Sequence, residues 1–372
     1  MSKLLERTRG KMMFADGTCF RGYLAGAAGE PVCGEVVFNT SMTGYQEVVT
    51  DPSYAGQIVV MTYPQIGNYG TCPNDNEGAG CAARGLVVRE LSPFFSPGSS
   101  RVSLESFMID SNLPGLVGID TRAVTRHIRS KGAVVAAIGS EEHGDDELAE
   151  LARRHSFSRG ESLVAGVTGS RTGKVAGRRG GRAAVVDLGV KRSIVEQVVG
   201  LGVSADIFDS GFSADDVLSG EFDFVVLSNG PGDPEDIPDV IENVRKLLGK
   251  IPLLGICLGH QVTALALGGR TYKMKFGHHG SNQPVADTAT GKVLITSQNH
   301  GYAVADDITR QAGAEITFLN ANDGTLEGFA VESLMVDCVQ FHPEASPGPR
   351  DSAFLFERFH EKTRGWRDAK SR

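Results

Sequence analysis

The sequence of 372 residues has few cysteines, and they lack the paired spacing of a small secreted protein. The six are spread along the chain, and no two of them form a CxxC pair. Disulfide frameworks belong mainly to small extracellular domains, whereas scattered cysteines in a long chain are usually reduced. We therefore expect free thiols.

Long apolar runs and an excess of positive charge are also missing. No uncharged apolar run reaches the roughly 18–20 residues of a membrane helix, and residues 1–20 carry several charges without a signal-peptide core. Lys and Arg number 37 against 45 Asp and Glu, a net charge of −8, which disfavours general binding to nucleic acid. These absences predict a cytoplasmic protein that binds neither membrane nor nucleic acid.

The chain is long enough for two domains. Residues 1–165 contain short β-branched runs separated by Gly and Pro, which predict a strand-rich domain. Residues 166–181 are rich in Gly, Ser, Thr and Arg, which predicts a linker. In residues 182–372 apolar strands alternate with helices, so we expect an α/β domain whose mostly parallel central sheet is flanked by helices.

One cysteine, Cys257, lies between an apolar run typical of a buried strand and a segment of helical composition. The string GICLG at 255–259 places a glycine two residues to either side of it. This is the cysteine form of the nucleophile elbow, in which a tight strand-to-helix turn needs small neighbours. A helix N-terminus also stabilises a thiolate. A buried structural cysteine is the alternative, but the two glycines favour a nucleophile.

A cysteine nucleophile needs a base, and VQFHPE at 339–344 offers His342 with Glu344 beside it. If a strand continues through the motif, side chains two residues apart project to the same side. Glu344 would then orient His342. Pro343 would end the strand pairing there. The alternative is an ordinary turn.

Acyl transfer also requires donors for a developing oxyanion. The N–H of Leu258, directly after the nucleophile, is one candidate. The glycine-rich loop SNGPGDP at 228–234 is another, because missing side chains leave its backbone N–H groups accessible. A plain turn is the alternative for this loop.

Four motifs in this order, LSNGPGDP, GICLGHQ, QNHGYAV and FHPEASPGP, closely resemble the class I glutamine amidotransferases. Three further strings, FNTSMTGYQEVVTDPSYAGQIV, TYPQIGNYG and MKFGHHGSNQPV, resemble the small-subunit family of glutamine-hydrolysing carbamoyl-phosphate synthetases. The resemblance covers nearly the whole chain.

The resemblance implies that Cys257 is the nucleophile, His342 the base and Glu344 its orienter. It also implies that a residue of the first domain contacts glutamine, which would place the substrate against the domain interface. The implied contacts with L-glutamine are Ser41, Gly230, Gly232, Leu258, Gln261, Asn299, Gly301 and Tyr302.

By the same resemblance, glutamine is hydrolysed through a γ-glutamyl thioester. The ammonia then passes to a large synthetase subunit, which makes carbamoyl phosphate from bicarbonate for arginine and pyrimidine biosynthesis. The implied assembly is a heterodimer or an oligomer of heterodimers. We expect no cofactor in this chain, with ATP and Mg²⁺ on the large subunit.

The motifs of this chain are consistent with ATP and Mg²⁺ binding on the large subunit. GSRTGKV at 169–175 has only three residues between its glycines and lacks the closing Ser or Thr of a phosphate loop. His278 and His279 are adjacent, so on an extended chain they point in opposite directions, and no carboxylate or thiol cluster accompanies them. We therefore predict no metal site.

Three other functions remain open at this level. A cysteine hydrolase or peptidase of related fold could use the same elbow, but residues 1–165 would have no role in it. A non-catalytic regulatory module would not need the three catalytic residues. A glutaminase serving another synthetase would not be expected to carry the N-terminal motifs.

Overall fold

The computed structural model describes residues 7–96, 102–155, 162–178 and 180–370. The chain divides into two compact units, of which the first comprises Met1–Arg159 and Met274–His279. The second comprises Gly160–Lys273 and Gly280–Arg372. The return of residues 274–279 to the first unit is a feature that no local pattern of the sequence indicates.

The first unit is built on a closed β-barrel with the strand order β1-β2-β8-β6-β4-β3-β9. Closure pairs both edges of the sheet, so these strands offer no open edge for aggregation. β5 and β7 form a separate two-stranded sheet. The elements are β1 (Arg9–Phe14), β2 (Cys19–Gly26), β3 (Val32–Asn39), α1 (Tyr45–Thr50), β4 (Gln57–Met61), β5 (Gln65–Ile66), β6 (Gly85–Val88), β7 (Glu90–Leu91), α2 (Leu104–Asp110), β8 (Pro114–Val117), α3 (Thr121–Lys131), β9 (Val134–Ser140) and α4 (Asp145–Arg154).

Successive residues of β4 in this barrel pack into different apolar clusters. Ile58 and Val60 pack with Val124 of α3. Val59 and Met61 instead join the cluster that contains residues of α1 and α2. This alternation follows from the two-residue period of a strand, and it explains why the last four residues of β4, IVVM, are all apolar.

The second unit contains one ten-stranded sheet with the order β10-β12-β11-β13-β14-β19-β18-β16-β15-β17. β12, β11, β13, β14 and β19 are mutually parallel, and β10 and β18 are antiparallel to their neighbours. The elements are β10 (Gly173–Val175), β11 (Arg182–Val186), α5 (Arg192–Gly200), β12 (Ser204–Phe208), α6 (Ala214–Ser219), β13 (Phe224–Leu227), α7 (Pro238–Leu247), β14 (Leu253–Ile256), α8 (Leu258–Ala266), β15 (Thr271–Asp287), β16 (Val293–Val304), α9 (Ile308–Ala312), β17 (Glu315–Asn320), β18 (Leu326–Val331), β19 (Val336–Val339) and α10 (Phe354–Lys370).

Helices cover both faces of the parallel strands. Ala184 and Val186 of β11 pack in a cluster with residues of α6, α7 and α8. Ala183 and Val185 of the same strand pack with residues of α5 and α10. The predicted α/β fold is confirmed. Five adjacent strands of its central sheet are parallel, and double coverage explains why β13 and β14 contain no polar side chain.

The predicted linker at 166–181 contains a short strand, β10, whose residues are exposed. It pairs antiparallel with β12 at the edge of the sheet, where strand formation needs no buried side chain. All six cysteines are free thiols. Among the helices that the structure describes, none combines the length and the apolar character needed to cross a bilayer.

The turn between β14 and α8 is closely packed at both of its glycines. A Cβ on Gly259 would lie 2.3 Å from the carbonyl oxygen of Leu227. A Cβ on Gly255 would lie 2.7 Å from the carbonyl oxygen of Gly259. Since backbone cannot move aside easily, the elbow requires glycine at both positions.

Gly259→Ala should therefore destabilise the protein, and we expect its free energy of unfolding to fall by about 1–3 kcal/mol, as for other overpacked sites. Gly200→Ala is the matched control, because a Cβ there meets no atom within 4 Å. Urea denaturation measures both variants. Equal stability of the two would contradict the proposed crowding at the elbow.

Candidate active site

Cys257 lies at the junction of β14 and α8, as the sequence predicts. Its φ of 54° and ψ of −102° are unusual for a residue with a side chain, and such strain is typically kept at functional positions. Its N–H donates to Val339 O at 2.9 Å, and its carbonyl accepts the first helical hydrogen bond from Gln261 N at 3.2 Å. Both neighbouring elements therefore hold the strained backbone.

The sulfur of Cys257 is almost completely buried, with 2% of the residue exposed. It donates to Asn299 O at 3.7 Å and accepts from Gln340 Nε2 at 3.6 Å. The nucleophile position is thus surrounded by polar groups at the carboxyl end of the sheet.

His342 and Glu344 follow β19 and form the expected pair. His342 Nδ1 lies 2.6 Å from Glu344 Oε1, and both side chains are buried. The strand does not continue through the motif, because β19 ends at Val339. Instead His342 N donates to Ser297 O at 2.9 Å, so a single bridge to β16 fixes the histidine where the regular strand has ended.

A lysine that the sequence reasoning missed completes this group. Lys191 Nζ lies 2.8 Å from Glu344 Oε1, and 1% and 0% of the two side chains are exposed. Lys191 N donates to Asn229 Oδ1 at 3.1 Å, which connects the turn before α5 to the loop after β13. Lys191 lies just beyond the end of β11, a parallel strand of the sheet, and this position is the one sequence signal that could have indicated its role.

The charges in this group alter each other's ionisation. Burial by itself raises the pKa of Glu344, but Lys191 and His342 outweigh it and lower the pKa from 4.5 to about 2. Burial also lowers the pKa of His342, yet Glu344 and the Cys257 sulfur raise it from 6.5 to about 10. These shifts favour an ionised Glu344 and a protonated His342 at neutral pH. Among the described residues His342 Nε2 has no hydrogen-bond partner.

The glycine-rich loop that contains Gly230 packs against Leu258 beside the elbow, and the oxyanion contacts of these residues stay a prediction. A Cβ on Gly230 would lie 2.1 Å from Leu188 O and 2.7 Å from Leu258 Cδ2, so only glycine can approach so closely. Gly259 N donates to Ser228 O at 3.0 Å and ties the loop to α8. Gly232 has a φ of 90° in the same loop.

The remaining predicted glutamine contacts of this unit lie on α8 and β16. Gln261 Nε2 donates to Tyr302 O at 2.9 Å, and Asn299 O faces the sulfur. Gly301 lies between these two β16 residues and has open space where a side chain would stand. The structure thus brings this part of the predicted glutamine set together around Cys257.

Ser41 belongs to the other unit, where it follows β3 and is buried. Its N–H donates to Asn39 Oδ1 at 2.8 Å. His278 and His279 are also buried in that unit, and His279 O accepts from Thr40 N at 3.2 Å. The glutamine contact of Ser41 and the lack of a metal at the two histidines both stay predictions.

Two family models match the chain. Residues 12–138 match the CPSase domain of the carbamoyl-phosphate synthase small chain, and residues 184–362 match glutamine amidotransferase class-I. The carbamoyl phosphate synthase small chain of Syntrophotalea carbinolica is 46% identical over 94% of this chain and 96% of its own length. This chain belongs to the carbamoyl phosphate synthase small chain family.

Two other members of the family show a similar degree of identity. The small chain of Symbiobacterium thermophilum is 47% identical over 92% of this chain and 96% of its own length. The pyrimidine-specific small chain of Bacillus subtilis is 44% identical over 94% and 95%. The predicted membership and the predicted class I glutaminase domain are confirmed.

The lysine paired with Glu344 should contribute strongly to the stability of this small chain. Lys191→Met leaves Glu344 with one partner only, and breaking a buried ion pair in this way costs about 3–5 kcal/mol of unfolding free energy. Arg192→Met is the matched control, because the neighbouring Arg192 pairs with Glu196 on the surface, where a pair contributes at most about 1 kcal/mol. Urea denaturation compares them, and similar losses would refute the buried pairing.

Glu344→Gln should change how stability depends on pH. The lowered pKa of Glu344 contributes stability above pH 4.5 that disappears as pH falls towards 2. The raised pKa of His342 contributes stability below pH 6.5 that disappears as pH rises towards 10. Both contributions are complete between pH 4.5 and pH 6.5, so the stability difference between wild type and variant should be largest there.

Chemical denaturation at a series of pH values measures this difference. Glu196→Gln on the surface serves as the control, with a difference near zero throughout. A Glu344→Gln difference that does not vary with pH would show that the histidine and the carboxylate are not coupled.

Proposed function

We propose that this chain is the glutaminase subunit of a carbamoyl phosphate synthase, with Cys257, His342 and Glu344 as its catalytic residues. The observation that carries the proposal is the buried group formed by the elbow cysteine, His342 and Glu344 at one sheet edge, in a chain of this family. That group suits attack on an amide carbonyl by a cysteine nucleophile with a histidine beside it.

In the first half-reaction the Cys257 thiolate attacks the side-chain carbonyl carbon of glutamine. A C–S bond forms, and the carbonyl π electrons move to oxygen. The N–H groups of Leu258 and Gly230 are the proposed donors to this oxyanion. His342 gives its proton to the nitrogen, the C–N bond breaks, and ammonia and a γ-glutamyl thioester result.

In the second half-reaction neutral His342 takes a proton from water while the hydroxide attacks the thioester carbon. The C–S bond breaks, which releases glutamate and restores the thiolate and the protonated histidine. The sum is glutamine plus water to glutamate plus ammonia. Glu344 holds the imidazole in the same tautomer throughout, because Nδ1 donates to its carboxylate.

Ammonia must stay unprotonated to act as a nucleophile, so release into water would waste it. The names of the relatives describe a small chain of a synthase, which implies a larger partner. We propose that a large subunit receives the ammonia and makes carbamoyl phosphate from bicarbonate. ATP and Mg²⁺ would bind there, and the two chains would form a heterodimer or an oligomer of heterodimers in the cytoplasm. Arginine and pyrimidine biosynthesis are the proposed users of the product.

Cys257→Ala should abolish the release of glutamate from free glutamine, with a loss of at least about a thousandfold, because the nucleophile itself is gone. The complex with the large subunit, purified through a tag on this chain, should at the same time keep ammonia-dependent synthesis of carbamoyl phosphate. A coupled assay for glutamate and a direct assay for carbamoyl phosphate measure the two activities.

Each alternative function has its own outcome in these assays. Peptide cleavage without glutaminase activity would indicate a peptidase. Glutamine-dependent synthesis that survives in Cys257→Ala would indicate a regulatory module. Glutaminase activity with no carbamoyl phosphate formed would indicate a different synthetase as the acceptor of ammonia.

A further inference from the structure

A buried glutamine beside the nucleophile has no role in the mechanism above. Gln340 follows directly after β19 and none of its surface is exposed. Its backbone N–H donates to Glu327 O at 2.8 Å, so the residue is held in place by the neighbouring strand β18. Its side chain extends towards Cys257.

The amide of Gln340 has a defined orientation. Nε2 donates to Cys257 Sγ at 3.6 Å. On its other side Oε1 accepts from Gln261 Nε2 at 3.1 Å and lies 3.2 Å from His260 Nδ1. A flipped amide would point its N–H groups at Gln261 Nε2, which is fixed as a donor by its bond to Tyr302 O, and would lose that contact.

His260 reinforces this orientation. The residue is completely buried, and burial lowers its pKa to about 3, so the ring is neutral at every pH at which the enzyme would work. Gln340 Oε1 can only accept, so the hydrogen bond requires the Nδ1–H tautomer. Among the described residues His260 Nε2 has no hydrogen-bond partner, and therefore no group competes for the proton at Nδ1.

The two contacts of the sulfur have opposite effects on its charge. The carbonyl of Asn299 accepts from the thiol and therefore favours the protonated form. The N–H of Gln340 donates, and a hydrogen bond to a charged acceptor is about twice as strong as one to a neutral acceptor. Gln340 is thus the side chain that favours the ionised sulfur over the thiol without carrying a charge itself.

We propose that Gln340 is a further catalytic residue that donates a hydrogen bond to the Cys257 thiolate, and that His260 and Gln261 position its amide for this task. The proposal rests on the proposed glutaminase function and extends it. The same hydrogen bond acts twice in the cycle. It stabilises the thiolate before attack, and it stabilises the thiolate again when sulfur leaves the thioester.

Gln340→Met tests the hydrogen bond from Gln340 to the thiolate, because methionine has a similar volume and no N–H. Alkylation of Cys257 by iodoacetamide is followed from roughly pH 5 to 10, a range that spans the ionisation of thiols. We expect the midpoint of the alkylation profile to move upward by about one pH unit, so that alkylation below the midpoint slows about tenfold. Glutaminase kcat should fall by a similar factor at neutral pH.

Gln298→Met is the matched control. Gln298 is equally buried, but its amide donates to Thr296 Oγ1 at 3.2 Å and faces His300 at 3.2 Å. Its alkylation midpoint should match that of the wild type. If Gln340→Met does not fold, Gln340→Asn keeps an amide that is too short to reach the sulfur, and the same upward shift is expected.

Two variants of His260 test the positioning. His260→Leu removes the donor to Gln340 Oε1 and should move the alkylation midpoint upward by a smaller amount, so that alkylation slows about threefold. His260→Asn supplies an N–H at the place of Nδ1 and should restore most of the rate. A merely structural role of His260 would change stability in both variants without moving the midpoint.

An unchanged midpoint in the folded Gln340 variants would overturn the inference, even if the glutaminase reaction proceeds as proposed. Conversely, wild-type protein that alkylates with the expected profile but releases no glutamate would refute the proposed function and leave the role of Gln340 intact. Alkylation needs no glutamine and no turnover, so the two failures are distinguishable.

Discussion

The active site depends on a buried series of charged groups beside the Cys257 sulfur, in which Lys191 pairs with Glu344 and Glu344 pairs with His342. Each charge taken alone would be too costly to keep away from water. In series each one has a neighbour of opposite sign, which lowers the pKa of Glu344 and raises the pKa of His342. Lys191 supports the protonated histidine only indirectly, by lowering the pKa of Glu344, which in turn raises the pKa of His342.

This charge series is possible because of the parallel sheet. Lys191, Asn229, Cys257 and His342 follow β11, β13, β14 and β19 respectively, and the carboxyl ends of parallel strands lie along one edge. Residues as far apart in the chain as 191 and 344 thereby become neighbours. The hydrophobic clusters on both faces of the sheet hold the strands in register, so the packing of apolar residues sets the distances between the polar groups.

Uncharged polar residues around the sulfur also fix the orientation of one another's side chains. Neutral His260 and the amide of Gln261 orient Gln340, and Gln340 in turn contacts the nucleophile. Such an arrangement adds a hydrogen bond to the thiolate without adding another buried charge. It also connects a proposed glutamine contact, Gln261, to the reacting sulfur through a single residue.

The sequence by itself determined the parts of this protein that depend on neighbouring residues. The two glycines around Cys257 reveal the elbow because the turn excludes side chains locally, and His342 and Glu344 lie close enough in the chain to be paired by inspection. Alternation of apolar strands and helices indicated the parallel sheet for the same reason. Only the tertiary structure decided the closure of the first unit into a barrel and the contacts of Lys191, His260 and Gln340. Those depend on strand order and register, which arise from packing between distant segments and leave no local pattern in the sequence.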